Sequence, residues 1–153
     1  MFVSQRPDLV VVFDRATGAG EYQQLWHLDP ALTVTRVAGA GATATAPGTE
    51  LALLRVPLPG QVVPAGSTTV ALAQADPYQG WVSHQLEQRV PDDVVEMTTR
   101  GQTAAMLTVI VPAATGTPVT AAATGPESGR YLLTVKTGSA VTTFTVTSTG
   151  LIS

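Results

Sequence analysis

A chain of 153 residues suits one domain with a real core, and 44% hydrophobic against 12% charged residues excludes a disordered, charge-rich tail. A net charge of −3 with Lys136 as the only lysine excludes the clustered cations that nucleic-acid binding needs. With no cysteine, disulfides and thiolate metal sites are excluded, and no apolar run approaches the roughly 20 residues of a membrane span.

Strand signals begin almost at once. Residues 9–13 (LVVVF) are β-branched and aromatic, as in a buried strand. Thr17-Gly18-Ala19-Gly20 reads as a turn and residues 21–28 as the return strand. In that hairpin Phe13 faces Tyr22, Leu9 faces Trp26 and Asp14 faces Glu21, with His27 near Asp8. Residues 32–37 alternate, Gly39-Ala40-Gly41 interrupts, residues 42–46 resume, and Pro47-Gly48 turns the chain into 50–56. Pro57, Pro59, Pro64 and Pro77 lack a ladder donor and are expected outside central strands. Residues 67–73 and 80–83 read as extended, 84–89 as a turn of helix stopped by Pro91.

The last third is the clearest. Strands are predicted over 94–99, 104–111, 119–123, 130–136 and 140–147, punctuated by Gly101, Gly116, Gly125-Pro126 and Gly138-Ser139. Tyr131, Leu133 and Val135 alternate with Leu132, Thr134 and Lys136, and Thr137-Gly138-Ser139 leads into a hairpin. Thr142, Thr143, Thr145, Thr147 and Thr149 read as solvent-facing strand positions. No segment holds a 3.6-residue apolar period, and no linker divides the chain. The expected fold is all-β, an antiparallel β-sandwich in a single domain spanning 1–153, possible also as part of a larger two-sheet assembly.

Candidate chemistry is sparse. There is no nucleophile elbow, phosphate loop, zinc-protease His pair or calcium loop, so no catalytic residue, metal ligand or cofactor is assigned. In the predicted register Asp14 and His27 stand about six residues apart, roughly 20 Å at ~3.3 Å per residue, too far to share a metal. His27 then reads as a strand residue bonded to a neighbour. The stretch from Asp76 to Pro91 sets Tyr78 and Trp81 among polar groups and His84. Aromatic faces beside polar groups suit sugar stacking; equally, Trp81 could cap the core and Tyr78 shape the loop.

Three stretches carry a family resemblance: VVVFDRATGAGEYQQLWHLDP, QGWVSHQLEQRVPDDVV and AAMLTVIVPA. In that order and approximate spacing they resemble the C-terminal β region of heparinase II/III-like polysaccharide lyases, from about Leu9 to Val135. Asp92-Asp93 departs from the pattern, which has small residues there, and no His-x-His segment is present. The resemblance implies a C-terminal domain of a larger, bacterial, secreted or periplasmic lyase. Its partners would be an upstream helical domain and a uronic-acid polysaccharide, with no nucleic acid and no membrane span. This domain would support the substrate cleft without being catalytic alone. Substrate-binding candidates are Tyr22, His27, Trp81 and His84. Met1 reads as the edge of a fragment, and a segment cut from such a parent would expose an apolar face. The alternative is a non-catalytic carbohydrate-binding or interaction module of an exported protein.

Overall fold

A computed structural model describes residues 2–6, 8–147 and 150–152, with side chains for 8–147. In chain order the strands are β1 (Phe2–Arg6), β2 (Leu9–His27), β3 (Thr33–Ala38), β4 (Gly41–Ala46), β5 (Thr49–Val56), β6 (Thr68–Leu72), β7 (Gln74–Ala75), β8 (Tyr78–Gln79), β9 (Trp81–Val82), β10 (Val90–Pro91), β11 (Asp93–Ala114), β12 (Val119–Glu127), β13 (Arg130–Thr137), β14 (Ala140–Thr147) and β15 (Gly150–Ile152). No helix occurs among the described residues, and hence none long and apolar enough to cross a membrane. The fold is all-β and antiparallel, in a sandwich-like arrangement.

The spine is β11. Along one edge it pairs with the whole length of β2. Along the other it pairs with β6 through residues 93–97 and with β5 through residues 107–114. The larger sheet therefore runs β1-β2-β11-β5-β4-β3, with β6 beside β5 on the same edge of β11. A second sheet runs β12-β13-β14-β15. Leu9, Val11, Phe13, Val56, Leu107, Val109 and Val111 from the first sheet meet Leu133, Val135, Phe144 and Val146 from the second in one buried cluster. Odd positions of β2 from Leu9 to Phe13 and of β11 from Leu107 to Val111 face this core, as the two-residue strand period requires.

The predicted hairpin at Thr17–Gly20 does not form. Residues 9–27 are a single strand, and both halves find their partner on β11: Phe13 faces Leu107, Asp14 faces Met106, Glu21 faces Arg100 and His27 faces Val94. The predicted strands at 94–99 and 104–111 likewise merge into one. The glycines read as a turn serve a crease instead. Gly20 and Gly101 stand opposite one another, and the register then slips, so that Thr103 faces Thr17. Missing side chains on both strands at one rung let the ribbon bend, as bulges in long strands do.

The bend is sharp enough to bring residues of one strand into contact with each other. Gln24 Nε2 donates to Asp14 Oδ2 at 2.7 Å, although the two lie ten residues apart on β2. In a straight strand that spacing is about 33 Å. The Thr108 hydroxyl donates to Gln24 Oε1 at 2.6 Å and lies 3.9 Å from Met97 Sδ, eleven residues away on β11. The ribbon therefore folds one face onto itself. Val95, Met97 and Met106 of β11 are buried there with Ala42, Ala44 and Leu53, and Tyr22, Trp26, Val34 and Val70 pack around them. The slip at the crease lets odd positions 95 and 97 share this core with even position 106, because a one-residue shift exchanges the faces of a strand. Buried Arg55 donates from Nη1 to the Thr98 carbonyl at 2.6 Å, spanning the same fold; burial pushes its guanidinium below the usual range.

Elsewhere the sequence reading and the structure agree closely. Two-residue connections join β3 to β4, β4 to β5 and β13 to β14, at Gly39-Ala40, Pro47-Gly48 and Gly138-Ser139. Pro57, Pro59, Pro64 and Pro77 lie outside strands. The expected turn of helix at 84–89 does not form; the chain makes a turn there, closed by a bond from Gln88 N to Gln85 O. Thr142 shares the inward parity of Phe144 and Val146, whereas Thr143 is exposed; Thr149 lies outside the described residues.

Replacing Gln24 by Ala strips the bridge from Asp14 and the buried Thr108 hydroxyl. The expected loss is about 1–3 kcal/mol in urea unfolding, whereas exposed Gln23→Ala should cost under about 0.5 kcal/mol.

Candidate functional site

The segment between β6 and β11 is an insert of short strands. β7 pairs with β8, and β9 pairs with β10 through Val82 opposite Val90 and Trp81 opposite Pro91. Its backbone converges on Gly80. The Gly80 carbonyl accepts bonds from Ala73 N and from Asp92 N, both at 3.0 Å. Gly80 is buried and has φ +79, and a Cβ built there would come within 2.5 Å of Ala73 N and 2.8 Å of Leu72 Cα. Only glycine fits, because the neighbours are backbone atoms that cannot give way.

From this node the insert presents a ledge. The Tyr78 and Trp81 rings are stacked, with centroids 6.2 Å apart and planes 12° from parallel. The Arg89 guanidinium carbon lies 4.8 Å from the Trp81 centroid and 5.6 Å from that of Tyr78, within cation–π range of both. Arg89 Nη1 donates to the Tyr78 hydroxyl at 2.6 Å, and Trp81 Nε1 donates to the Gln74 carbonyl at 3.1 Å. Tyr78 and Arg89 are exposed and Trp81 is half-buried. An aromatic surface with a cation on it can meet an apolar sugar face and an acidic or hydroxyl group together.

Beside the exit of the insert lies a buried carboxylate. The Asp92 side chain is wholly covered, and neither oxygen has a hydrogen bond. Half-exposed His27 places Nδ1 3.4 Å from Asp92 Oδ2, an ion-pair distance longer than a well-formed hydrogen bond. Burial pushes the Asp92 carboxyl above its usual range; His27 opposes that shift, and Asp93 and Asp29 add to it. Asp93 is itself engaged, its Oδ2 accepting from Val34 N at 2.7 Å, and Asp29 Oδ1 accepts from Ala31 N. No group of three or more acidic, histidine or cysteine side chains among the described residues could hold a metal.

Comparison with family models, curated proteins and solved structures gives no match.

The four sequence candidates separate in space. Trp81 is in the ledge. His27 ends β2 against Asp92. Tyr22, partly buried, packs against the core of the crease, its hydroxyl donating to the Gly18 carbonyl. His84 is exposed in the turn between β9 and β10. Arg89, Tyr78 and Asp92 were not among the candidates. Tyr78 carried a visible signal as the second aromatic of its loop. Arg89 lies eleven residues on, and the departure at Asp92-Asp93 was the one sign that this corner is unusual.

The Asp92 shift has a definite sign. Its folded pKa is raised above the unfolded value, so its contribution to stability is full below the ordinary carboxylate range, near 3.8, and is lost as pH rises through the folded value. An Asp92→Asn variant lacks that loss. Its unfolding free energy relative to wild type, from urea titrations, should therefore increase as pH rises above about 4.

Proposed function

We propose that this chain is a non-catalytic carbohydrate-binding β domain whose contact surface is the ledge of Tyr78, Trp81 and Arg89. One observation carries the reading: two nearly parallel rings, one well exposed, with a guanidinium over both. The ring faces suit the C–H face of a pyranose, and Arg89 suits an acidic substituent. The non-catalytic part rests on the two imidazoles. His27 is paired with a buried carboxylate, and His84 stands in an exposed turn. Neither forms a nucleophile–base arrangement with a third group of the kind acyl or glycosyl transfer needs.

A second reading makes the chain the cleft-supporting sandwich of a heparinase II/III-like lyase, with a uronic-acid polysaccharide and an upstream helical domain as partners. Two observations favour it. The first two resembling stretches meet at His27 and Asp92, and the third, along β11, pairs beside the first. Leu72 at the end of β6 and Leu86 and Val90 of the insert are exposed, as a surface covered by a further domain would be.

Binding to heparan sulfate, hyaluronan, alginate and a neutral glucan by calorimetry tests both. Trp81→Ala should weaken any binding by roughly tenfold or more, about 1.4 kcal/mol. Arg89→Ala should weaken the acidic glycans selectively. Equal binding by wild type and Trp81→Ala would remove the ledge from the reading. No unsaturated uronate should accumulate with this chain alone; turnover abolished by His27→Ala would make it an enzyme.

A further inference from the structure

We propose that His27 and Asp92 form a pH-sensitive clasp that holds the aromatic ledge in position. The ledge and the clasp share one node. Asp92 N donates to the Gly80 carbonyl, Gly80 immediately precedes Trp81, and Trp81 faces Pro91, the residue before Asp92. Arg89 stands one residue before β10. On the side a Cβ would occupy, Gly80 has no room to shift, since the Leu72 and Ala73 backbone lies within 2.9 Å of that position. A displacement of Asp92 is therefore transmitted to the strand pair that carries Trp81 and Arg89.

The charges around Asp92 make that displacement depend on pH. His27 faces it from β2, Asp29 from the turn after β2, and Asp93 from β11. Of these only His27 can be cationic. With His27 protonated, the buried carboxylate has an opposite charge at 3.4 Å. An imidazole ordinarily titrates between about pH 5 and 8. With a neutral imidazole at position 27, the wholly covered Asp92 carboxylate stands beside the like charges of Asp29 and Asp93 with no opposite charge. It then moves toward solvent, because a buried carboxylate without a partner is costly enough to drive it out. The clasp is closed at the acid end of this range and released at the alkaline end.

This inference rests on the ledge reading only for its consequence in glycan binding; the coupling is tested without a ligand. The Trp81 indole N–H of the intact chain, identified by comparison with Trp81→Phe, is followed by 1H–15N NMR from about pH 5 to about pH 8. Its shift should change with the same midpoint as the His27 imidazole. The change should vanish in His27→Gln and in Asp92→Asn, two variants that do not share a risk of misfolding, and should persist in His84→Gln. A Trp81 signal that stays flat while His27 titrates overturns the clasp. So does one whose titration survives in both clasp variants, or disappears only in His84→Gln. Glycan affinity at both ends of the range is then a separate measurement: a titrating Trp81 with no bound glycan keeps the clasp and removes the glycan reading.

Discussion

Everything in this fold depends on a ribbon of two long strands being creased rather than straight. β2 and β11 together pair over sixteen rungs, and a ribbon of that length cannot enclose a core unless it folds. Facing glycines at positions 20 and 101 remove side chains from the crease on both strands, and the one-residue slip beside them exchanges which positions of β11 point inward. Gln24 then holds the two halves together with an amide that donates to Asp14 and accepts from Thr108. Both of its polar ends are satisfied, so a polar side chain can sit in an otherwise apolar core of Met97, Met106 and Leu53 at little cost.

The crease also determines where the insert sits. Folding the ribbon opens a gap along β11 between β6 and β5, bridged by residues 57–67 and by Arg55 reaching the Thr98 carbonyl. At the far end of β6 the chain must return to begin β11, and it does so through the short strand pairs around Gly80. That return brings the start of β11 beside the end of β2, where Leu28 N bonds the Asp93 carbonyl and His27 meets Asp92. The ledge and the buried carboxylate are thus two features of one chain reversal. The strands of the ledge are tied to the Gly80 node, and the same reversal covers the carboxylate.

Local pattern was sufficient wherever a strand met its neighbour in sequence. Residues 119–147 alternate cleanly and are joined by short turns, so β12, β13 and β14 were legible within a few residues, as were β4 and β5 around Pro47-Gly48. The same reasoning failed at Thr17–Gly20. Two glycines between apolar runs make a good hairpin signal, but they also suit a bend in a strand whose partner is about eighty residues away. Nothing local distinguishes the two. For the candidate site, Trp81 was visible because aromatic residues in a proline-rich loop are conspicuous, whereas Arg89 and Asp92 acquire their roles only from what lies across from them.

Composition and periodicity alone determined that this chain is all-β, rich in short antiparallel pairs, built on an apolar core and without cysteine chemistry, because those properties follow from side-chain type and the two-residue strand period. The tertiary structure decided the rest: that two predicted pairs of strands are one creased ribbon, that Tyr22 packs against the core, that His27 has a buried carboxylate partner, and that Arg89 lies on two rings. Each of these depends on a contact between residues distant along the chain or on opposite arms of a loop, and the energy of such a contact comes from burial and geometry that no local run of residues specifies.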